Sequence, residues 1–226
     1  MPLKAIFFDL DDTLFDCFGQ LVHTAHREAV RAMIEAGMEA EEEEAYLRRL
    51  AIHEATPEVD LDAELAKSYG ASEAAEKAGR KAYFSRNIGP IEAFEGVEEM
   101  LQELRELKYR LFLVTRGDVS TQARKLERLG LKKYFSETAY VDMDSESNKK
   151  KAFFHLMNRY SLEPGECIVV GDRVSGEIRD GREIGMVTVR LRGGEFGHVE
   201  PGCNEERADH EIEDILELME VLKGLY

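Results

Sequence analysis

Apolar residues along the chain fall into short runs that alternate with longer stretches of helical periodicity. The first run, from Lys4 to Asp9, ends abruptly in carboxylates. Buried parallel strands have this appearance, with functional groups gathered at their C-terminal ends. Three similar runs and a weaker fifth follow: Arg110 to Thr115, Cys167 to Asp172, Met186 to Leu191 and, more weakly, Thr138 to Val141. The pattern therefore predicts five strands.

Helical spacing recurs between the later strands. Three sets of apolar residues repeat at intervals of three and four: Val97, Met100, Leu101, Leu104 and Leu107; Val119, Ala123, Leu126 and Leu129; Phe153, Leu156, Met157 and Tyr160. Such spacing is typical of helices with one buried face. Strands that alternate with helices predict an α/β fold, in which helices cover both faces of a parallel sheet.

The segment from residue 16 to residue 90 interrupts this alternation. Its helical patterns are the apolar stripe from Phe18 to Met33, a stretch opened by Glu41 to Glu44, residues 61–69 and residues 73–87. None of them carries a strong strand signal. We therefore predict a helical domain, residues 16–90, inserted into an α/β core formed by residues 1–15 and 91–226.

Charge and composition limit the kinds of molecule that the protein is expected to bind. The formal net charge of −16 opposes binding to nucleic acid or to an anionic membrane. No run approaches the roughly 20 apolar residues of a membrane helix, and no secretory signal is recognisable, so a cytoplasmic location is expected. A phosphorylated partner would be repelled as well, unless cations, a metal or backbone N–H groups offset the charge locally.

Acidic side chains follow the first strand directly. Asp9 and Asp11 are two residues apart, so in extended backbone they point the same way. Two adjacent carboxylates repel each other unless a cation or a proton lies between them. A calcium loop of EF-hand type would need different residues at three positions, where the chain has Thr13, Leu14 and Gln20.

Four segments in order resemble the motifs of the haloacid dehalogenase superfamily, in its phosphatase branch. They are the DxDxT pentad from Asp9 to Thr13, the strand end Leu113 to Thr115, the triplet Lys149 to Lys151, and Val169 to Asp172 with Glu177 beyond it. The resemblance implies a Rossmann-like core with an inserted helical cap of the C1 type, as in subfamily I. It also implies Mg²⁺-dependent hydrolysis of a small phosphorylated metabolite.

The resemblance further implies how the acids divide the chemistry. Asp9 would be the nucleophile that forms an aspartyl-phosphate, which splits hydrolysis into two easier steps. Asp11 would protonate the leaving oxygen and later activate water. The Mg²⁺ ligands would be the Asp9 side chain, the Asp11 backbone carbonyl and Asp172, with Glu177 acting through a water molecule.

Phosphate-binding groups are implied at the second and third motifs. Thr115 would hydrogen-bond a phosphoryl oxygen, assisted by the backbone N–H groups of Arg116 and Gly117 ahead of a helix. A lysine would neutralise charge in the transition state. Counting back from Phe153, the first core residue of the next helix, favours Lys149 over Lys150.

Two positions depart from the family pattern, and other functions stay open. Ser175 stands where some relatives carry an acid, and Glu177 replaces the commoner Asp. A haloacid dehalogenase would need neither Asp11 nor the acidic pair at Asp172 and Glu177. A phosphomutase would keep every motif, whereas a non-enzymatic binding module would be expected to lose one. The sequence identifies neither the phosphate ester nor the oligomeric state.

Overall fold

The computed structural model describes residues 2–55, 59–84, 88–142 and 148–225. The chain divides into two compact units. An α/β unit comprises Met1–Phe18 and Pro90–Tyr226, and a helical unit comprises Gly19–Gly89. The sequence placed the helical segment at residues 16–90.

The α/β unit is built on a parallel sheet of six strands in the order β3-β2-β1-β4-β5-β6. The strands are β1 Ala5–Phe8, β2 Arg110–Arg116, β3 Glu137–Val141, β4 Cys167–Gly171, β5 Val187–Leu191 and β6 His210–Ile212. The predicted α/β, Rossmann-like fold is confirmed, and the five predicted strands are present. The short edge strand β6 was not predicted because only Ile212 of its residues is buried.

Nine α-helices lie in the described parts of the chain. They are α1 His23–Glu35, α2 Glu42–Ala55, α3 Leu61–Tyr69, α4 Glu73–Phe84, α5 Val97–Glu106, α6 Val119–Arg128, α7 Lys149–Tyr160, α8 Arg179–Ile184 and α9 Leu218–Gly224. The first four form the helical unit. The remainder of the helix predicted over residues 73–87, residues 85–87, lies outside the described residues.

Two helices of the α/β unit begin at side-chain caps. The carboxylate of Asp118 accepts the Thr121 N–H at 2.8 Å at the start of α6. The amide oxygen of Asn148 accepts the Lys151 N–H at 2.9 Å at the start of α7. Such caps satisfy backbone donors that a helix leaves unpaired at its first turn. They fix the first turns of two helices that carry candidate site residues.

The sheet is buried on both faces. All four residues of β1 are buried, and because successive side chains point to opposite faces, helices must cover both. On one face, the ring of Phe7 packs against Phe112 of β2 and Phe153 of α7, with ring centroids 4.7 and 5.6 Å apart. This packing ties the helix that begins at Lys149 to the central strand.

The strand order reverses at β1. From there the chain builds β2 and β3 on one side and β4, β5 and β6 on the other. In open α/β sheets, ligands bind in the crevice at such a reversal, outside the carboxyl ends of the strands. Asp9 follows β1 and Asp172 follows β4, so the topology places both acids at this point.

The helical unit contains a buried ion pair. Arg49 donates from Nη2 to Asp62 Oδ1 at 3.0 Å, and both side chains are almost fully buried. Arg49 also contacts His26 Nδ1 and lies with its guanidinium carbon 4.8 Å from the centroid of the Tyr83 ring. Burial raises the pKa of Asp62, while Arg49 opposes that rise. The pair links α2 to α3.

We expect Arg49→Met to destabilise the protein by about 3–5 kcal/mol, because it leaves the Asp62 carboxylate buried without its cation. The matched control is Arg31→Met, which removes an exposed pair with Glu42 and should change stability by about 0–1 kcal/mol. Urea unfolding followed by circular dichroism measures both. Equal effects would contradict the importance assigned to the buried pair.

Candidate active site

Three acidic side chains converge at the ends of β1 and β4. Asp9, Asp172 and Glu177 each offer a carboxylate oxygen within 4.8 Å of the others, and all three side chains are buried. The backbone of Asp9 is fixed to β4, since its N–H donates to the Val170 carbonyl at 3.0 Å. The sequence predicted these three acids as members of one metal site, and the fold brings them together.

Glu177 reaches the cluster from a helical turn beyond β4, Val174–Ile178. Its Oε1 accepts the Arg173 N–H at 2.7 Å, and its Oε2 accepts from Lys149 Nζ at 2.7 Å. A side chain at Gly171 would collide with it, because an added Cβ would lie 2.4 Å from Glu177 Cγ. The glycine at the end of β4 therefore leaves the space that the glutamate occupies.

Lys149 is the cation of the cluster. Its Nζ lies 2.7 Å from Asp9 Oδ1 and 2.7 Å from Glu177 Oε2, and its side chain is 8% exposed. The neighbouring Lys150 instead pairs with Glu183, 2.7 Å away, and its side chain is 34% exposed. The structure thus places Lys149 among the carboxylates and Lys150 outside them.

Burial shapes the charges of these groups. It raises the pKa of Asp9 to about 7, with the Glu177 charge adding to the rise and Lys149 opposing it. Burial also raises the pKa of Asp172, helped by the charges of Glu177 and Asp9. Burial lowers the pKa of Lys149, but the attraction of Asp9 and Glu177 outweighs it and raises the pKa overall. One lysine does not compensate three carboxylates.

This cluster fits a hard divalent cation. Mg²⁺ prefers oxygen ligands and binds through one or two carboxylates while keeping several waters. Asp9 Oδ1 is buried and makes no aligned hydrogen bond to a described residue, although Lys149 Nζ is close. Both oxygens of Glu177 already accept hydrogen bonds. Asp9 and Asp172 are thus better direct ligands than Glu177, which suits an outer position.

Asp11 lies in a different environment from Asp9. Lys125 Nζ on α6 is 2.8 Å from each of its two carboxylate oxygens, and Gln122 Nε2 donates to Oδ2 at 3.0 Å. The Asp11 side chain is 30% exposed. Its carboxylate is therefore outside the three-acid cluster, and its predicted metal contact was through the backbone carbonyl.

Gln122 also reaches Thr115, at the end of β2. Its Nε2 lies 2.5 Å from Thr115 Oγ1 and 3.4 Å from the Arg116 carbonyl oxygen. Both Gln122 and Thr115 are buried. The side-chain amide of Gln122 therefore connects the first two motifs, because its nitrogen donates to both the Asp11 carboxylate and the Thr115 hydroxyl.

The backbone N–H of Gly117 makes a different contact from the one expected from the sequence. It donates to the Val141 carbonyl at 2.9 Å, so the strand β3 already uses the hydrogen that was expected to face a phosphate. The residue has another role in the structure. A Cβ at Gly117 would lie 3.2 Å from Gln122 Cδ and Cγ, so the absence of a side chain makes room for Gln122.

Asp12 anchors the loop that carries these acids. It has a positive φ of 51°, and its carboxylate accepts the N–H groups of Phe18 at 2.9 Å and Glu195 at 3.2 Å. The segment around Glu195 is itself held by Arg190, whose Nη2 donates to three carbonyls: those of Phe196, Gly197 and Val199. Asp12 therefore ties the first motif to the segment after β5.

Gln122, Lys125 and the anchoring role of Asp12 were not predicted from the sequence. Gln122 and Lys125 are three residues apart on α6, which is also the spacing of an ordinary solvated helix face. Lys125 is 114 positions from Asp11, so no local pattern connects them. The position of Lys125 next to the buried Leu126 in the apolar stripe of α6 indicates that the lysine could be buried. It does not indicate which acidic residue the lysine contacts.

Comparison with known proteins identifies the family. Residues 3–185 match the haloacid dehalogenase-like hydrolases. The chain belongs to this family. The resemblance of the four motifs to the haloacid dehalogenase superfamily is therefore confirmed.

Curated relatives of known name match nearly the whole chain. Glyceraldehyde 3-phosphate phosphatase of Methanopyrus kandleri is 34% identical, over 99% of this chain and 98% of its own length. N-acylneuraminate-9-phosphatase of Rattus norvegicus is 27% identical, over 99% of this chain and 95% of its own length. The predicted enzyme class, a phosphoric monoester hydrolase, is confirmed.

A solved structure shows the same fold. A putative hydrolase of this family from Bacillus subtilis, determined with bound magnesium, aligns with a TM-score of 0.71 and 20% identity, over 98% of this chain and 99% of its own. Within the described residues of the present protein, no helix is both long enough and apolar enough to cross a membrane.

We expect Lys149→Ala to lower turnover by about 10²–10³-fold, because it removes a preorganised charge from the buried cluster. Lys150→Ala should change turnover little, since Lys150 is half-exposed and pairs with Glu183. Steady-state hydrolysis of 4-nitrophenyl phosphate compares the two variants. Equal, small effects would mean that the lysine that acts on the phosphoryl group is elsewhere.

Proposed function

We propose that this protein is a Mg²⁺-dependent phosphatase that hydrolyses small phosphate monoesters through an aspartyl-phosphate on Asp9. The observation that carries the proposal is the contrast between two carboxylates two residues apart. Asp9 is buried beside Asp172 and Lys149, whereas Asp11 is part-exposed and held by α6. Two acids in separate environments suit a nucleophile and an acid–base group.

In the first step, an oxygen of Asp9 attacks phosphorus and forms an acyl-phosphate bond. The bond from phosphorus to the ester oxygen breaks, and Asp11 donates a proton to that oxygen so that it leaves as an alcohol. The Lys149 ammonium lies 2.7 Å from Asp9 Oδ1. It offsets the negative charge that accumulates when the Asp9 carboxylate approaches the phosphate group. The Thr115 hydroxyl and the Arg116 N–H position the phosphoryl oxygens.

In the second step, a water molecule attacks the same phosphorus. Asp11, which lost its proton in the first step, accepts one from the water, and the bond between phosphorus and the Asp9 oxygen breaks. Inorganic phosphate leaves, and both aspartates return to their initial states. One group serves as acid and then as base, which requires that its position persists through both steps.

The side chains of Asp9 and Asp172 and the backbone carbonyl of Asp11 would hold Mg²⁺, with Glu177 acting through a water molecule. Support comes from the three buried carboxylates, whose charge exceeds that of Lys149. When bound, the ion would neutralise the cluster and the phosphoryl oxygens. A dehalogenase, which needs neither this acidic cluster nor Asp11, is disfavoured by the same residues.

The proposed substrates are small phosphorylated metabolites of the triose or sugar type. The two curated relatives are named for glyceraldehyde 3-phosphate and N-acylneuraminate 9-phosphate, both phosphate monoesters of polyhydroxy compounds. The net charge of −16 disfavours nucleic acid as a substrate. We further propose that the helical unit, Gly19–Gly89, acts as the cap that sets selectivity among such esters.

We expect Asp9→Asn to abolish nearly all turnover without unfolding the protein, because the amide has the same shape but is a poor nucleophile. Circular dichroism and hydrolysis of 4-nitrophenyl phosphate measure the two properties. Glu213→Gln, which removes one negative charge from an exposed position, is the control and should be fully active. A folded Asp9→Asn variant with a normal rate would exclude Asp9 as the nucleophile.

We expect Mg²⁺ to raise the melting temperature of the metal-stripped protein, because a ligand that binds the folded state stabilises it by mass action. Asp172→Asn should lose most of this shift, whereas Glu213→Gln should retain it. Chelation by EDTA should remove activity, and added Mg²⁺ should restore it. Full activity of the stripped protein, or an undiminished shift in Asp172→Asn, would contradict the assigned site.

A further inference from the structure

The contact between Asp11 and Lys125 is tighter than an ordinary surface ion pair. Lys125 Nζ lies 2.8 Å from both Oδ1 and Oδ2, so it faces the carboxylate symmetrically. The Lys125 side chain is only 4% exposed, whereas most exposed lysines keep several rotamers. The ammonium is therefore fixed in place before any substrate arrives.

The surroundings of Lys125 explain this fixed position. Its Nζ lies 3.5 Å from the Sγ of buried Cys17 and 5.8 Å from the ring centroid of Phe15. Burial raises the pKa of the Cys17 thiol, so the thiol is neutral. Asp11 is thus the acidic side chain that the ammonium faces in these contacts.

Gln122 supplies a second point of attachment, one helical turn before Lys125. It donates to Asp11 Oδ2 from the same face of α6. The Asp118 cap fixes the first turn of this helix, and the side-chain and backbone hydrogen bonds to Thr121 and Ser120 lower the pKa of Asp118 to about 2. The Asp11 carboxylate is thus attached to a rigid element rather than to its own loop alone.

One edge of Asp11 stays open. Lys125 and Gln122 make three contacts with the carboxylate and the Cys17 thiol also hydrogen-bonds to it, while 30% of the side chain remains exposed. An incoming oxygen can therefore reach the carboxyl group without displacing α6.

We propose that Lys125 is a positioning residue for Asp11, holding its carboxyl group from α6 in the place where it exchanges a proton with the leaving oxygen. The proposal rests on the phosphatase mechanism given above. The contact assigned to Lys125 is with the Asp11 carboxyl group rather than with the phosphoryl group. Its effect on the reaction passes entirely through Asp11.

The leaving group offers a readout that a purely structural role would not alter. Phenyl phosphate and 4-nitrophenyl phosphate have similar shapes, but phenolate is a much more basic leaving group and depends on protonation far more. Since kcat/KM reports the steps up to release of the leaving group, a misplaced acid should affect the two esters unequally. The ratio of the two kcat/KM values is therefore the quantity to measure.

We expect Lys125→Met to lower kcat/KM for phenyl phosphate by about 10²-fold, the lower end of what a positioned proton donor contributes. The value for 4-nitrophenyl phosphate should change little, and KM for both esters should stay close to that of the wild type. Arg124→Met, which removes an exposed cation from the same helix, is the matched control and should leave both values unchanged. Lys125→Arg keeps the charge and should restore much of the loss.

Asp11→Asn separates this inference from the proposed function. Because Lys125 acts through Asp11, adding Lys125→Met to Asp11→Asn should cause no further loss. If Asp11→Asn itself has no effect on either ester, the proposed acid–base function fails. If Asp11→Asn is defective but Lys125→Met is not, only the positioning role fails.

Three other outcomes would also overturn the positioning role. They are an equal loss for both esters, a further loss in the double variant, and a gain of activity in Lys125→Met, which would mean that the lysine restrains Asp11. Circular dichroism establishes that each variant is folded. Should Lys125→Met fail to fold, Lys125→Gln supplies a neutral polar side chain of similar length for the same comparison.

Discussion

Repulsion among buried carboxylates is the constraint on which the rest of the site depends. The fold brings Asp9, Asp172 and Glu177 together at the point where the strand order reverses, and among the described residues Lys149 is the lysine that pairs with Asp9 and Glu177. Burial raises the pKa of Asp9 and Asp172, and the charges of the neighbouring acids add to the rise. The proposed Mg²⁺ would complete such a cluster, and the phosphoryl group of a substrate would then meet a site less negative than the surface around it.

The second acid of the first motif is kept apart from this repulsion. Asp11 lies two residues from Asp9, yet its carboxylate is paired with Lys125 and Gln122 of α6. Gln122 also contacts Thr115, so one helix contacts both the residue proposed to transfer the proton and the residue proposed to bind the phosphoryl oxygens. The sheet positions Asp9, the proposed nucleophile, while α6 positions Asp11, the proposed acid–base residue, so the two proposed tasks depend on different elements.

The strands and helices that have a regular pattern of apolar residues could be predicted from the sequence. Apolar runs ending in acids indicated β1 and β4, and the helical phase that puts Lys149 on the face of Phe153 holds in the structure, where both are buried. Features that depend on contacts between distant parts of the chain, or on very few residues, could not be predicted. The three-residue edge strand β6 has too few buried positions to stand out, and the contact of Lys125 with Asp11 spans 114 positions. Gly117 was read as a phosphate ligand, but its N–H pairs with Val141 and its missing side chain admits Gln122, which only the packing reveals.

In the proposed mechanism, a carboxylate of the protein, rather than water, attacks phosphorus first. Each in-line displacement inverts the configuration at phosphorus, so two successive displacements restore it. The most direct measurement is the stereochemical course of phosphoryl transfer from a substrate made chiral with oxygen isotopes to an alcohol acceptor. Two displacements through an intermediate on Asp9 should retain the configuration, whereas inversion would show a single displacement and exclude that intermediate.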